Sequence, residues 1–124
     1  MSNTSKRILI VDDDATHLSS TKGILEAEGY EVYTHGQAFG STNAIAAVKP
    51  HLVLVDVNMP GLSGDVLVDV YRANSRSRDA RFVLYSSNDE DSLRETARRL
   101  EIDGYICKGS PAALRTKVAS VLSR

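Results

Sequence analysis

The chain has a single cysteine, Cys107, in 124 residues. No internal disulfide can brace the fold, and a lone thiol fits a reducing compartment. Charge of either sign is not in excess: 15 Lys and Arg against 16 Asp and Glu leave a net charge of −1 with His neutral. That argues against a surface dedicated to nucleic acid or to an anionic membrane. No apolar run approaches the roughly 20 residues of a membrane span. The opening "MSNTSKR" passes straight into the first aliphatic run without a signal-peptide core. Linkers, internal repeats and low-complexity tracts are missing as well. What remains is an ordinary globular composition, 42% hydrophobic and 25% charged, at a length that suits one domain over 1–124. The expectation is a soluble cytoplasmic domain that neither binds nucleic acid directly nor enters a membrane.

Short aliphatic runs recur at 8–11 (ILIV), 52–55 (LVLV), 82–85 (FVLY) and 105–107 (YIC), with a weaker one at 31–34 (EVYT). The middle runs are apolar on consecutive positions, the pattern of strands buried on both faces of a parallel sheet. Helical periodicity fills the gaps. Residues 16–28 carry Leu18, Ile24 and Leu25 on one stripe, with Gly29 placed to end the helix. The spacing also predicts helices over 65–73 (Val66, Leu67, Val70, Tyr71), 90–100 (Leu93, Ala97, Leu100) and 112–122 (Leu114, Val118, Val121, Leu122). Segment 37–48 is the poorest, with Gly40 inside and Phe39, Ile45 and Val48 as its large apolar groups; a helix is assigned there because a crossover is needed. Five alternating βα units imply a right-handed parallel sheet between two helix layers. Ligands of such sheets sit beyond the carboxyl ends of the strands, where strand order reverses.

Those ends carry chemistry. The first strand runs into Asp12, Asp13 and Asp14, the third into Asp56, the fourth into Ser86 and Ser87, and the fifth into Lys108. If the first and third strands are neighbours, Asp12, Asp13 and Asp56 converge on one small volume. Carboxylates so grouped suit a hard cation, Mg2+ before others, because its ligands are oxygens and it keeps exchangeable waters. A hydroxyl from Ser86 and an ammonium from Lys108 around a carboxylate would stabilise the charge on the equatorial oxygens during phosphoryl transfer. The carboxylate facing that position can itself be the nucleophile. Taken singly, Asp12 and Asp13 fit a solvated strand-to-helix turn, and Asp56 with Pro60–Gly61 fits an ordinary loop.

The ordered set "ILIVDDD", "LVLVDVNMPGLSG", "FVLYSSN" and "GYICK" resembles the receiver (chemotaxis-type) domain of two-component response regulators, over Arg7 to Leu122. The resemblance implies a flavodoxin-like, doubly wound, five-stranded parallel sheet of order 2-1-3-4-5 with helices on both faces. It implies Asp56 as phosphoacceptor, and Mg2+ held by Asp13 directly, by Asp12 mainly through water, by Asp56 and by the Asn58 carbonyl. Lys108 and Ser86 would contact the phosphoryl group. Ser86 and Tyr105 would form the switch, and Asn58 and Asn88 would tune dephosphorylation. Asp14 matches no ligand position; its charge favours the start of the following helix. The implied partners are a histidine kinase or histidine phosphotransfer protein upstream. Downstream, an effector would meet the face made by helix 90–100, strand 105–107 and helix 112–122, and phosphorylation could bring a homodimer. Such a domain is not an enzyme beyond catalysing its own phosphorylation and dephosphorylation.

Three departures from the family stand out: Gly109 follows Lys108 where proline is common, the stretch from Lys108 to Leu114 is about one residue short, and helix 37–48 is atypical. Two other functions remain open. "DDDAT" satisfies the D-x-D-x-T nucleophile motif of haloacid-dehalogenase-like phosphatases, with Asp12 attacking and Asp14 as acid/base, though Asp56 and its Met-Pro tail are then unexplained. A receiver-like module used only for protein contact, without phosphorylation, is the other. His17, His35 and His51 show no ligand spacing and read as solvated or structural. The arginines Arg72, Arg76, Arg78 and Arg81 read as a solvated loop, and Cys107 as a small buried hydrophobe.

Overall fold

A computed structural model describes residues 6–37, 39–59 and 80–123. Five strands are present: β1 (Arg7–Val11), β2 (Glu31–His35), β3 (Leu52–Val55), β4 (Arg81–Ser86) and β5 (Gly104–Cys107). They form one sheet of order β2-β1-β3-β4-β5, and each neighbouring pair is parallel. Among the described residues four helices connect or follow them: α1 (Ala15–Glu26), α2 (Ser41–Val48), α3 (Glu90–Leu100) and α4 (Pro111–Leu122). The helix expected over 65–73, with Arg72, Arg76, Arg78 and Pro60–Gly61, lies outside the described residues. None of the described helices is long and apolar enough to cross a membrane.

The consecutive apolar runs do cover both faces of the sheet. Ile8, Ile10, Leu52, Leu54, Val83 and Ile106 pack on one side with Leu25 of α1 and Leu114, Val118 and Val121 of α4. Leu9, Val11, Val53, Val55, Phe82 and Leu84 pack on the other with Ile45 of α2 and Leu93 and Ala97 of α3. This two-residue alternation decides where side chains beyond the strand ends are aimed. Strands β1 and β3 are in register, Val11 opposite Val55, and the Asp56 N–H donates to the Val11 carbonyl at 2.9 Å. Asp12 and Asp56 thus leave the sheet side by side.

Helix starts follow local chemistry. Asp14 caps α1, its Oδ1 accepting from the backbone N–H groups of Thr16 (3.0 Å) and His17 (3.1 Å). Its role is therefore a hydrogen-bonded cap, more specific than the charge effect expected. Asp89 caps α3, which carries Glu90 and Asp91 in its first turn and Arg98 and Arg99 in its last, matching the helix dipole. Ser110 caps α4, with Pro111 at its first position.

Segment 37–48 differs from its expectation. Gly40 precedes α2 rather than lying inside it, in a left-handed conformation at φ 83°, and the helix begins at Ser41. Phe39 is consequently outside the helix and 85% exposed, so it adds nothing to the buried face. Cys107 is half-buried at the edge of the core.

The backbone N–H of His17 holds the Asp14 carboxyl below its ordinary range, ahead of a smaller opposing effect of burial. A depressed folded-state value gives stability that is present above the ordinary carboxylate range and lost as pH falls through the folded value. Asp14→Ala is expected to lower the Tm at neutral pH, and the gap to the unaltered chain should close in acid. Calorimetry across that pH range checks both.

Candidate functional site

The carboxyl end of the sheet gathers groups from four strands. From β1 and β3 come Asp12 and Asp56, whose side chains are only 1% and 9% exposed. Burying two carboxylates side by side is unfavourable unless a cation joins them. Lys108, the residue after β5, supplies it. Its Nζ donates to Asp12 Oδ2 at 2.6 Å and to Asp56 Oδ2 at 2.8 Å, with the lysine side chain 7% exposed. Its backbone N–H donates to the Ser86 carbonyl at 2.9 Å, tying it to β4. The ammonium also stands 5.4 Å from the ring centroid of Tyr85, a cation–π geometry. Burial pulls the Lys108 pKa down, but its bonds to Asp12 and Asp56 outweigh that together and raise it, so the ammonium is charged at neutral pH.

The remaining carboxylate oxygens are held by the backbone. Asp12 Oδ1 accepts from the Asp14 N–H at 3.0 Å, and Asp56 Oδ1 from the Asn58 N–H at 2.8 Å. Asn58 then reaches across to β4. Its Nδ2 donates to Ser86 Oγ at 2.9 Å and to Asn88 Oδ1 at 2.8 Å, while the Asn88 N–H donates to Ser86 Oγ at 3.3 Å. Both lone pairs of the Ser86 hydroxyl are thereby engaged, and its proton is the group it has left to offer. Ser86 is itself fully buried.

Tyr105 lies on the opposite side from the ammonium, packed with the α3 face. Its hydroxyl donates to Glu90 Oε2 at 2.9 Å, and the Arg94 guanidinium sits 5.9 Å from its ring centroid while pairing with Glu90 at 3.2 Å. The hydrogen bond to Glu90, with a smaller effect of burial, raises the phenol above its usual range, so Tyr105 is neutral at physiological pH.

The structure therefore joins Asp12, Asp56 and Lys108 directly, and Asn58, Ser86 and Asn88 through a second network that starts at Asp56. Asp13 is exposed beside them. Among the described residues, no three of His, Cys, Asp and Glu are grouped so as to hold a metal ion. The lysine stands between two of the three carboxylates, Asp12 and Asp56. The donor set still fits a hard cation: the two buried carboxylates outnumber the one ammonium, and Asp13 adds a further negative charge at the rim.

Sequence reasoning misses three residues. His17, which reads as solvated or structural, has Nδ1 2.9 Å from Lys108 Nζ; its place in the first turn of the helix after the acidic loop is the signal that could have found it. Tyr85 under the ammonium, and Glu90 holding Tyr105, offer no motif to read. His51 is structural as expected, its Nδ1 accepting from the Arg7 N–H at 2.9 Å. Gly109 has φ 121°, a conformation closed to the proline common in that position.

Lys108→Met removes the ammonium and is expected to cost about 3 kcal/mol at neutral pH, the usual penalty for stranding buried charge. Urea denaturation measures it. Added Mg2+ should recover more stability in the variant than in the unaltered chain.

A family model for the response regulator receiver domain matches residues 8–119. Among curated proteins, the DNA-binding response regulator MtrA of Mycobacterium tuberculosis (strain ATCC 25618 / H37Rv) is 35% identical over 75 residues, 60% of this chain and 33% of that protein. The probable transcriptional regulator ycf27 of Pyropia yezoensis is 31% identical over 125 residues, 100% of this chain and 50% of that protein. This chain thus spans from a third to a half of these curated relatives. Among solved structures, a CheY-like response regulator receiver domain protein from Methanospirillum hungatei JF-1 superposes with a TM-score of 0.81 at 32% identity, over 95% of this chain and 94% of that one. Chemotaxis protein CheY4 of Vibrio cholerae, at 21% identity and a TM-score of 0.82 over 94% and 98%, shares the fold. Sheet order, family model and relatives agree, and the dehalogenase-like reading of Asp12 finds no support in them. The chain belongs to the response regulator receiver domain family.

Proposed function

We propose that Asp56 is the phosphoacceptor of this receiver domain. The observation that carries the reading is the Asp56 carboxylate: it lies at the end of a central strand, 2.8 Å from a buried ammonium, with the Ser86 hydroxyl linked to it through Asn58. An Asp56 oxygen attacks phosphorus as the N–P bond of a donor phosphohistidine breaks, and its electron pair leaves on the imidazole nitrogen, which takes up a proton. Lys108 offers an N–H to the equatorial oxygens, where charge is spread in the transition state. Mg2+, held by Asp12, Asp13, Asp56 and the Asn58 carbonyl, would neutralise charge on the same oxygens. Asp12 is the less accessible of the two carboxylates, its side chain 1% exposed against 9% for Asp56.

The product carries more negative charge than the carboxylate it replaces. That draws the Ser86 proton toward it and disturbs the Asn58 and Asn88 bonds that Ser86 now accepts. Ser86 closes one end of this response and Tyr105 the other, released from Glu90 as the surface around β5, α3 and α4 changes. A groove of about 750 Å³ on this face, lined by Glu90, Tyr105, Lys117 and Ser120 among others, supports it as the partner surface. Asn58 and Asn88 at the mouth would set how readily water reaches the acyl phosphate. The reading places the domain in the cytoplasm, downstream of a histidine kinase or histidine phosphotransfer protein, as a single module over 1–124. MtrA is a DNA-binding regulator, whereas the reading gives this domain no direct contact with nucleic acid.

Acetyl phosphate with Mg2+, followed by trapping and peptide mapping, should label Asp56, and Asp56→Asn should abolish labelling. Label on Asp12 would overturn the assignment.

A further inference from the structure

An ammonium has three N–H donors. Those of Lys108 go to Asp12, to Asp56 and, at 2.9 Å, to Nδ1 of His17. The third partner differs in kind from the other two. It is a neutral ring on an exposed residue, whereas the carboxylates are buried and charged. The bonds to Asp12 and Asp56 join opposite charges, whereas the bond to His17 has an ionised donor alone and lacks that attraction. His17 is therefore the partner that Lys108 gives up at least cost when an N–H is needed elsewhere.

The geometry points to His17 as a positioning residue that docks the third N–H of Lys108 away from the incoming phosphoryl group and releases it on protonation. This rests on Asp56 being the acceptor. A charged Lys108 requires Nδ1 to accept, which places the ring proton of neutral His17 on Nε2. Once the ring gains a second proton, both sides are donors, the contact becomes repulsive, and the third N–H is free to meet a phosphoryl oxygen. The groups facing His17 are few. Lys108 comes from beyond β5, Tyr85 from β4, and Asp14 from the helix cap, while α4 presents the uncharged Ser110 and Pro111. A pocket of about 200 Å³ between α1 and α4 gives the ring space to swing out.

Three chains test this with acetyl phosphate and Mg2+ from about pH 5.5 to about pH 8, the range where imidazoles titrate. They are the unaltered chain, His17→Leu, which has no acceptor, and His17→Asn, whose Oδ1 stands where Nδ1 stood and does not titrate. At pH 8 the unaltered chain should match the Asn variant and be slower than the Leu variant by about three- to ten-fold, the worth of one modest hydrogen bond. As pH falls its rate should leave the Asn variant and approach the Leu variant. Rate ratios independent of pH overturn the inference while leaving the acceptor assignment intact. Failure of Asp56 to label in all three chains overturns the acceptor assignment instead. The contact is then decided by nitrogen-15 spectra of the ring at pH 8: a proton on Nε2 upholds it, and a proton on Nδ1 overturns it.

Discussion

One ammonium between two buried carboxylates is the constraint on which this site depends. The register of β1 against β3 delivers Asp12 and Asp56 next to each other whether or not that is electrostatically favourable. Two like charges removed from water at hydrogen-bonding range are costly at any reasonable interior dielectric. Lys108 makes the pairing tolerable, although its strand lies at the far edge, with β4 and β3 between it and β1. Strands are about 4.8 Å apart, so only a long side chain crossing the sheet end can reach. Tyr85 on β4 provides the surface it crosses, and the bond from the Lys108 backbone to Ser86 sets its root. Strand order, a long cationic side chain and an aromatic ring beneath it form a single arrangement.

The sheet then separates two tasks by face. Asp12, Asp56, Lys108 and Tyr85 continue the alternation of the side that packs on α1 and α4, and His17 reaches them from α1. Tyr105 and Cys107 belong to the other side, against α3. Asn58 crosses between them: its backbone holds Asp56 while its side chain holds Ser86 and Asn88. A change of charge at Asp56 therefore has a covalently short path to the hydroxyl of β4, and from β4 to the neighbouring strand that carries Tyr105. Glu90 and Arg94 hold that ring at the surface, so the outward arrangement has its own bonds to lose.

Most of this architecture is legible in the sequence because parallel strands buried on both faces leave a distinctive mark, as at Leu52–Val55. Carboxylates at the ends of such strands are equally telling, since they are costly there unless a cation meets them. Sheet order and the roles of Asp56 and Lys108 come from a resemblance that needs four motifs in sequence. The failures have physical causes. Gly40 reads as a helix-interior residue because glycine carries no apolar signal, whereas its positive φ makes it a boundary. Phe39 counts toward a core on hydrophobicity alone, yet it is exposed. His17 is invisible because its significance lies in distance to Lys108, 91 positions away.

Charge balance explains why such a site would need more cation than the chain supplies. Asp12, Asp13 and Asp56 bring three negative charges against the one positive charge of Lys108. Converting the Asp56 carboxylate into an acyl phosphate dianion deepens the imbalance by one. An additional fixed lysine or arginine could offset this, but it would hold the carboxylates just as firmly before the reaction and stabilise the ground state equally, which does not speed transfer. A divalent ion held by Asp12, Asp13 and Asp56 would instead supply positive charge beside the phosphoryl oxygens, where charge develops. On the proposed reading His17 complements it: the ring holds a donor of Lys108 in reserve while the site waits, so that the fixed cation too is fully engaged only when the phosphoryl group arrives.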